Sequence, residues 1–514
     1  MHSSPIVRQR LPTPPIMARE RVAHGAGFNL VKDIVVSLIA SEASALGADK
    51  IKPAVEVVMM AAGKGTRMKS NKPKVLQMLA HLPLAGHVLE AARWVDARKV
   101  VVVTGHGAAQ VESALSLLAG SIPLEFARQE PQLGTGHAVQ TAAPHLADDA
   151  IVLVLSGDVP LTSGATLQAL LHLSAGQHLA LLTVNLPDPS GYGRVLRNGP
   201  TVTAIVEHKD ASPQERSIQE IYGGILAAPA LQLKQWLGRL DNRNAQGEYY
   251  LTDVVKLAVQ DGVQVLAHRI DDPLEVAGVN SPAQLAALER AHQLRLAEAL
   301  MEQGVRLKDP ARIDVRGSLV CARDVEIDVG CVFEGRVQLD DGVRIGPHCV
   351  LANCSIEAGT VIQAFTHIDG ESQGVRVGAG ARIGPFARLR PGADLGQDVH
   401  IGNFVEVKNA RLAQGAKANH LAYLGDATVG ERVNFGAGSI TANYDGANKH
   451  QTVIEDDVHV GSNCVLIAPL TLGAGGTIGG GSTITKDTPP GALTVARGKQ
   501  VGVANWTRPV KSAK

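Results

Sequence analysis

Between residues 54 and 280, continuous apolar runs alternate with stretches of helical spacing. Val100-Val101-Val102-Val103-Thr104, residues 151–155 and residues 179–184 are apolar without interruption. That pattern belongs to strands covered on both faces. Residues 86–94 and 166–173 space their apolar positions as helices do,. Together these predict an α/β domain with a mostly parallel sheet. Ligands of such sheets lie beyond the carboxyl ends of the strands. The loop at 61–67 and Asp158 each follow a strand directly, so both are expected there.

A second pattern follows. Ser281-Pro282, with Leu285, Leu288, Leu294 and Leu300, predicts one helix over 281–305 that bridges two halves,. From about residue 313 the period becomes six. Val377, Ile383, Leu389, Leu395 and Ile401 form one register, and Ile454, Val460, Leu466, Leu472 and Ile478 another. Gly often follows the aliphatic residue, as in Ile383-Gly384 and Val460-Gly461. A hexapeptide period predicts a parallel β-helix with aliphatic side chains stacked inward. The period breaks at 419–426 and at 436–453, and both breaks are rich in polar residues. They are read as insertions that mark binding surfaces. The predicted organisation is therefore an N-terminal extension (1–53), an α/β domain (54–280), a linker helix (281–305) and a β-helix with a tail (306–514). The extension is rich in Pro and Arg at its start. Residues 34–46 within it predict one short helix.

Composition narrows the class without naming a reaction. At 514 residues the chain exceeds one ordinary core,. Lys+Arg and Asp+Glu are both 49, so bulk charge favours neither nucleic acid nor an anionic membrane,. The five Cys form no C-x-x-C pair, which argues against a disulfide or zinc framework and for a reducing compartment,. No apolar run approaches the roughly 18 residues of a membrane span.

Candidate chemistry clusters at the loops. The stretch Met59-Met60-Ala61-Ala62-Gly63-Lys64-Gly65-Thr66-Arg67 puts small residues and two cations after a strand. Small residues let backbone N–H groups approach a ligand, and the cations suit phosphates. In the second half, Arg390 and Lys408 precede the first break and suit a phosphate,. His420 within it is the natural general base, because imidazole titrates near neutral pH.

The motifs, taken in order, resemble those of one family. Ala61-Ala-Gly-Lys-Gly-Thr-Arg67, Gln132-Leu-Gly-Thr-Gly-His-Ala138, Val206-Glu-His-Lys-Asp210 and Asn244-Ala-Gln-Gly-Glu-Tyr-Tyr250 occur in the first half. Arg388-Leu-Arg-Pro-Gly392, Asn419-His-Leu421 and Asn443-Tyr-Asp-Gly-Ala-Asn448 occur in the second. Residues from about 55 to 514 resemble the bacterial bifunctional N-acetylglucosamine-1-phosphate uridylyltransferases/glucosamine-1-phosphate N-acetyltransferases. The resemblance implies a Rossmann-like mixed sheet joined to a left-handed β-helix. It implies acetyl transfer from acetyl-CoA to glucosamine 1-phosphate, then UMP transfer from UTP, for peptidoglycan and lipopolysaccharide precursors. It implies Mg²⁺ on Asp158 and Asn280. Met60, Ala61, Ala62, Gly63, Gln129, Gly134, Thr135, Ser156 and Gly157 match nucleotide contacts, and Arg67 and Lys74 match phosphate contacts. Gly193 and Glu207 match sugar contacts, while Tyr222 stands where the family usually has an Asn. His420 matches the acetyl-transfer base. Arg390, Lys408, Tyr423, Asn434 and Asn443 match sugar-phosphate contacts, and Ala437, Tyr444, Ser462, Gly480 and Arg497 match coenzyme A positions. A cytoplasmic homotrimer acting on small molecules, without nucleic acid or membrane, completes what the resemblance implies. Two rivals are a nucleotidyltransferase whose β-helix only assembles it, and a non-catalytic scaffold. His420 with Asn443-Tyr444 argues against the first, and Asp158, Lys74 and His420 together against the second.

Overall fold

The computed structural model describes residues 54–511. The short helix predicted within 34–46 lies outside them. In the α/β domain a nine-stranded sheet has the central order Val265–Ile270, Leu179–Asn185, Glu220–Pro229, Ile151–Ser156, Val55–Met60, Lys99–Thr104, Leu124–Arg128. Glu220–Pro229 runs antiparallel to both neighbours, and the other pairs along this order are parallel. The apolar runs form its centre because both faces are covered. Val57, Val100, Val102, Leu153 and Ala180 point into one buried cluster, and Val58, Val101, Val103, Val154 and Leu181 into the other. The helices Leu84–Trp94 and Gly164–Ser174 match the spacing read from sequence. Arg194–Asn198 and Thr201–Val206 form an antiparallel pair beside Glu220–Pro229.

The linker helix Pro282–Glu302 begins where Ser281 caps it, with Ser281 Oγ accepting from the Gln284 N–H,. Beyond it, short parallel strands stack into a solenoid from Arg306–Leu307 onward. The six-residue register is the inward column: Ile383, Leu389, Leu395, Ile401, Leu466 and Leu472 are fully buried. Arg382 pairs with His400, eighteen residues on, so three hexapeptides make one coil.

One expectation needs correction. Residues 419–426 are not an insertion. His400 pairs with Lys417 and Asn403 with His420, so the coil continues and is one residue short of eighteen. Ala418 takes the inward place of a larger aliphatic and is fully buried, which hides the repeat from a reading of side chains alone. The second break is a true insertion. Asn434 pairs with His459, twenty-five residues on, and the extra residues leave the coil between Ile440–Ala442 and Thr452–Ile454.

Candidate active sites

The first site forms where the sheet's carboxyl ends open. Met60 ends its strand, and the chain turns through 61–65 with the Ala61 N–H donating to Val103 O at 2.9 Å. Gly65 has φ +56°, and a Cβ there would lie 2.7 Å from Lys74 Cβ. Only glycine lets the loop pass so close to that lysine. The resulting cleft has a volume of about 890 Å³ and is lined by Met60, Ala61, Ala62, Gly63, Lys74, Gln129, Gly134, Thr135, Ser156 and Asp158. Gly157 hydrogen-bonds through its N–H to Met60 O at 2.9 Å. Gln129 is buried and donates to Gly134 O at 2.9 Å, and Thr135 Oγ1 accepts from the Leu251 N–H. Arg67 is exposed on the short turn Thr66–Met68 that follows the loop.

Lys74 carries the electrostatic centre. Its ammonium pairs with Asp158 Oδ2 and donates to Asn280 Oδ1 at 3.2 Å. Asp158 and Asn280 are far apart in sequence, and the Val279 N–H donates to Asp158 O at 3.0 Å to bring them together. Two hard oxygens that share one ammonium converge closely enough for one cation. Among the described residues no cluster of three or more His, Cys, Asp or Glu is arranged to hold a metal. A carboxylate and an amide oxygen are hard donors of the kind Mg²⁺ takes, and phosphate and water would supply the rest,.

A third group of predicted residues lies together to one side. Thr252 Oγ1 donates to Glu207 Oε1 at 3.0 Å. Burial, reinforced by nearby carboxylates, pushes the Glu207 carboxyl above its ordinary range,. A Cβ on Gly193 would lie 2.8 Å from Ile205 Cγ2 and 3.7 Å from Glu207 Oε1. Tyr222 donates its N–H to Gly193 O at 2.9 Å. Its side chain is buried, and its hydroxyl has no protein partner. Burial raises that phenol further above its usual range.

The second set of residues lies on the solenoid, in two columns. His420, Ala437, Ser462 and Gly480 succeed one another at one corner. The ladder shows this: Leu421 N–H donates to Asn403 O, Gly438 N–H to His420 O, Asn463 N–H to Ala437 O and Gly481 N–H to Ser462 O. Arg497 joins the column by donating from Nη1 to Gly480 O at 2.7 Å. His420 is exposed, and its Nδ1 lies 2.8 Å from Asn403 Oδ1 on the preceding coil. A side-chain amide oxygen only accepts, so Nδ1 carries the proton and Nε2 keeps a free lone pair.

The other column holds Arg390, Lys408 and Asn443. Arg390 donates to Glu406 Oε1 at 2.8 Å, and Asn443 to Asp426. Lys449 lies against Lys408, and with Arg390 it holds the Lys408 ammonium below its usual range. Three cations gathered so closely suit a dianion. Tyr423 opens the strand between the two columns, pairing with Glu406 and Ile440. Tyr444 is exposed on the insertion. Asn434 lies on the eleven-stranded sheet between Lys417 and His459, on the strand next to that of His420 and three residues before Ala437. Asn403, Lys449 and Glu248, which also lines the cleft, were not picked out from sequence. For Asn403 the only signal was its place one coil before His420.

Comparisons with known proteins follow this division. Residues 57–220 match the MobA-like NTP transferase domain, and residues 451–486 the hexapeptide repeat of succinyl-transferase. The bifunctional protein GlmU of Acidovorax ebreus (strain TPSY) is 68% identical over 473 residues, 90% of this chain and 99% of that protein. The chain belongs to the GlmU family. The GlmU protein of Albidiferax ferrireducens (strain ATCC BAA-621 / DSM 15236 / T118) is 68% identical over 89% of the chain and 100% of its own length. That of Herminiimonas arsenicoxydans is 56% identical over 90% of the chain and 100% of its own length. As a GlmU enzyme the chain is a bifunctional transferase of UDP-N-acetylglucosamine synthesis, serving cell-wall construction. It acetylates glucosamine 1-phosphate from acetyl-CoA and joins UMP from UTP to N-acetylglucosamine 1-phosphate, with Mg²⁺. Its solenoid is a left-handed β-helix. Among the described residues no helix is long and apolar enough to cross a membrane.

Proposed function

We propose that the two GlmU reactions divide between the two folded regions: uridylyl transfer in the cleft of residues 54–280 and acetyl transfer on the β-helix of residues 306–514, with residues 281–305 as linker. The convergence of Asp158 and Asn280 on the Lys74 ammonium carries the first assignment. In this reading Arg67 and Lys74 take the phosphates, and Asp158 and Asn280 hold the cation. Bound Mg²⁺ supplies charge neutralisation on the phosphate oxygens. Met60 to Gly63, Gln129, Gly134, Thr135, Ser156 and Gly157 receive the nucleotide. Gly193, Glu207 and the unpartnered Tyr222 hydroxyl receive the sugar. The sugar phosphate oxygen attacks the α-phosphorus in line, and pyrophosphate leaves. The protein's part is positioning and electrostatic stabilisation.

His420, held by Asn403, carries the second assignment. Its Nε2 takes a proton from the substrate amine as nitrogen attacks the thioester carbonyl, and the thiol of coenzyme A leaves. Arg390, Lys408, Tyr423 and Asn443 bind the sugar phosphate, with Lys449 as a third cation. Ala437, Tyr444, Ser462, Gly480 and Arg497 bind acetyl-CoA. The hexapeptide solenoid supports a homotrimer whose acetyl sites form between neighbouring chains. We place the enzyme in the cytoplasm, where its five unpaired thiols stay reduced,. The deciding experiment measures pyrophosphate release and thiol release on His420→Ala and Asp158→Ala. Each change should remove one reaction and spare the other. Loss of both in a folded variant refutes the division.

A further inference from the structure

Three imidazoles meet where the linker helix docks on the α/β domain. His81 lies in the hairpin between Met78–Leu79 and Leu82–Pro83, His87 on the helix Leu84–Trp94 and His292 on the linker helix. The ring centroids of His81 and His87 are 6.0 Å apart, those of His87 and His292 5.8 Å, and each pair is edge to face. His87 Nε2 donates to Leu79 O at 2.9 Å. Glu90 from the first helix, and Glu289 and Arg295 from the linker helix, face the cluster. Each already has a partner: Glu90 pairs with Arg93 and Arg295 with Asp272. Glu289 Oε2 accepts from the Ala80 N–H at 2.7 Å. The reactions assigned above use none of these groups.

The contact continues in two directions. Glu289 Oε1 accepts from Gln293 Nε2 at 2.8 Å. The buried Gln293 exchanges two hydrogen bonds with the backbone of Val315, at 2.7 and 3.0 Å. One line of hydrogen bonds thus runs from the hairpin through the linker helix to a solenoid strand. Toward the cleft, Leu288 packs with Met68, Leu79, Leu84 and Val279 in a separate apolar cluster. Met68 follows Arg67, the hairpin follows the turn Lys74–Leu76, and Asn280 immediately precedes the cap of the linker helix.

We propose that this joint is a positioning device for uridylyl transfer: the linker helix, docked through Glu289 and three neutral imidazoles, holds Arg67, Lys74 and Asn280 in register, and protonation of the cluster loosens it. The proposal rests on placing uridylyl transfer in residues 54–280. Its physics is the cost of charging buried rings that touch. Burial lowers the pKa of His81, His87 and His292, the last to about 4, and the rings oppose one another's charge. Glu289 and Glu90 offset this only in part. An unfolded or undocked imidazole binds its proton near pH 6.5. The docked cluster does not, so its stabilisation is complete above that pH and is lost as pH falls toward 4.

The test is amide hydrogen exchange on the full chain at pH 5.0 and 7.5, normalised for the intrinsic pH dependence, with both activities followed over the same range. Segments 77–83 and 282–293 should lose protection about tenfold or more at the lower pH while the solenoid keeps its own. Between the two pH values, pyrophosphate release should fall about threefold further in the parent than in His292→Phe. His292→Phe keeps a ring and removes one titrating group, so it should move both losses to lower pH by about half a unit. Glu289→Leu should lower protection at both pH values and reduce pyrophosphate release alone. Equal protection at the two pH values, or superimposed profiles for His292→Phe and the parent, overturns the proposal. If His292→Phe does not fold, exchange on the parent decides. The exchange readout does not depend on where UTP binds. An error in the site assignment would instead show as pyrophosphate release surviving Asp158→Ala.

Discussion

The α/β cleft and the solenoid surface solve different problems with different architecture. In the cleft, loops from several strand ends converge, and the central groups are already paired: Lys74 sits at 13% side-chain exposure against Asp158 at 20%. On the solenoid the groups stand in open columns set by the coil repeat, and His420 is exposed. Phosphoryl transfer needs charge neutralised at fixed points in a partly desolvated space. Acetyl transfer to an amine needs one proton acceptor in the correct tautomer. In the proposed division a cleft serves the first need within one chain. A column serves the second but leaves one side open, which is where a neighbouring chain enters the proposed trimer.

The sharpest way to break this contrast is to remove each centre. His420→Ala should lower thiol release by about 10²–10⁴-fold with pyrophosphate release unchanged. Asp158→Ala should lower pyrophosphate release by about 10²–10³-fold and spare thiol release. A steady-state assay of both products on each variant checks this. Next in size is Asn403→Leu, which removes the partner of His420 Nδ1 and should cost roughly 10–100-fold in thiol release through misorientation. Asn403→Asp should retain activity but move the acid limb of the thiol-release profile to higher pH, because a carboxylate stabilises the imidazolium. If Asn403→Leu is silent, the column does not orient the base.

Smaller effects sharpen the comparison. Lys449→Met should raise KM for glucosamine 1-phosphate by about tenfold, with kcat changed much less. It should also return the Lys408 ammonium toward its ordinary pKa, measurable by the pH dependence of lysine labelling. In the cleft, Tyr222→Phe should raise KM for N-acetylglucosamine 1-phosphate by roughly 2–10-fold, since one hydrogen bond to a neutral group is worth about 0.5–1.5 kcal/mol. No change would mean that the orphan hydroxyl faces no substrate.

Much of this was legible because its signals are local. The strands 151–156 and 179–185 announced themselves through unbroken apolar runs. The loop after Met60 and Asp158 each follow a strand directly, whereas Lys74, on the turn Lys74–Leu76, was named by the family resemblance. The solenoid's inward column was legible from its period. Residues 419–426 were misread as an insertion because Ala418 fills an inward place normally held by a larger side chain. Asn403 gave no local signal, since its meaning depends on a residue one coil later.

Local pattern was enough for the period of each region, the strand ends that carry small residues and charge, and the membership of a two-reaction family. Apolar periodicity and short motifs act over a few residues, so they survive without knowledge of what packs against them. The folded chain was needed to show which distant groups share a site: Asn280 beside Asp158, Asn403 beside His420, Lys449 beside Lys408, and the imidazoles of the linker joint. Those meetings are set by sheet order, coil length and helix docking. Each is a long-range geometric quantity that one added or missing residue per coil alters.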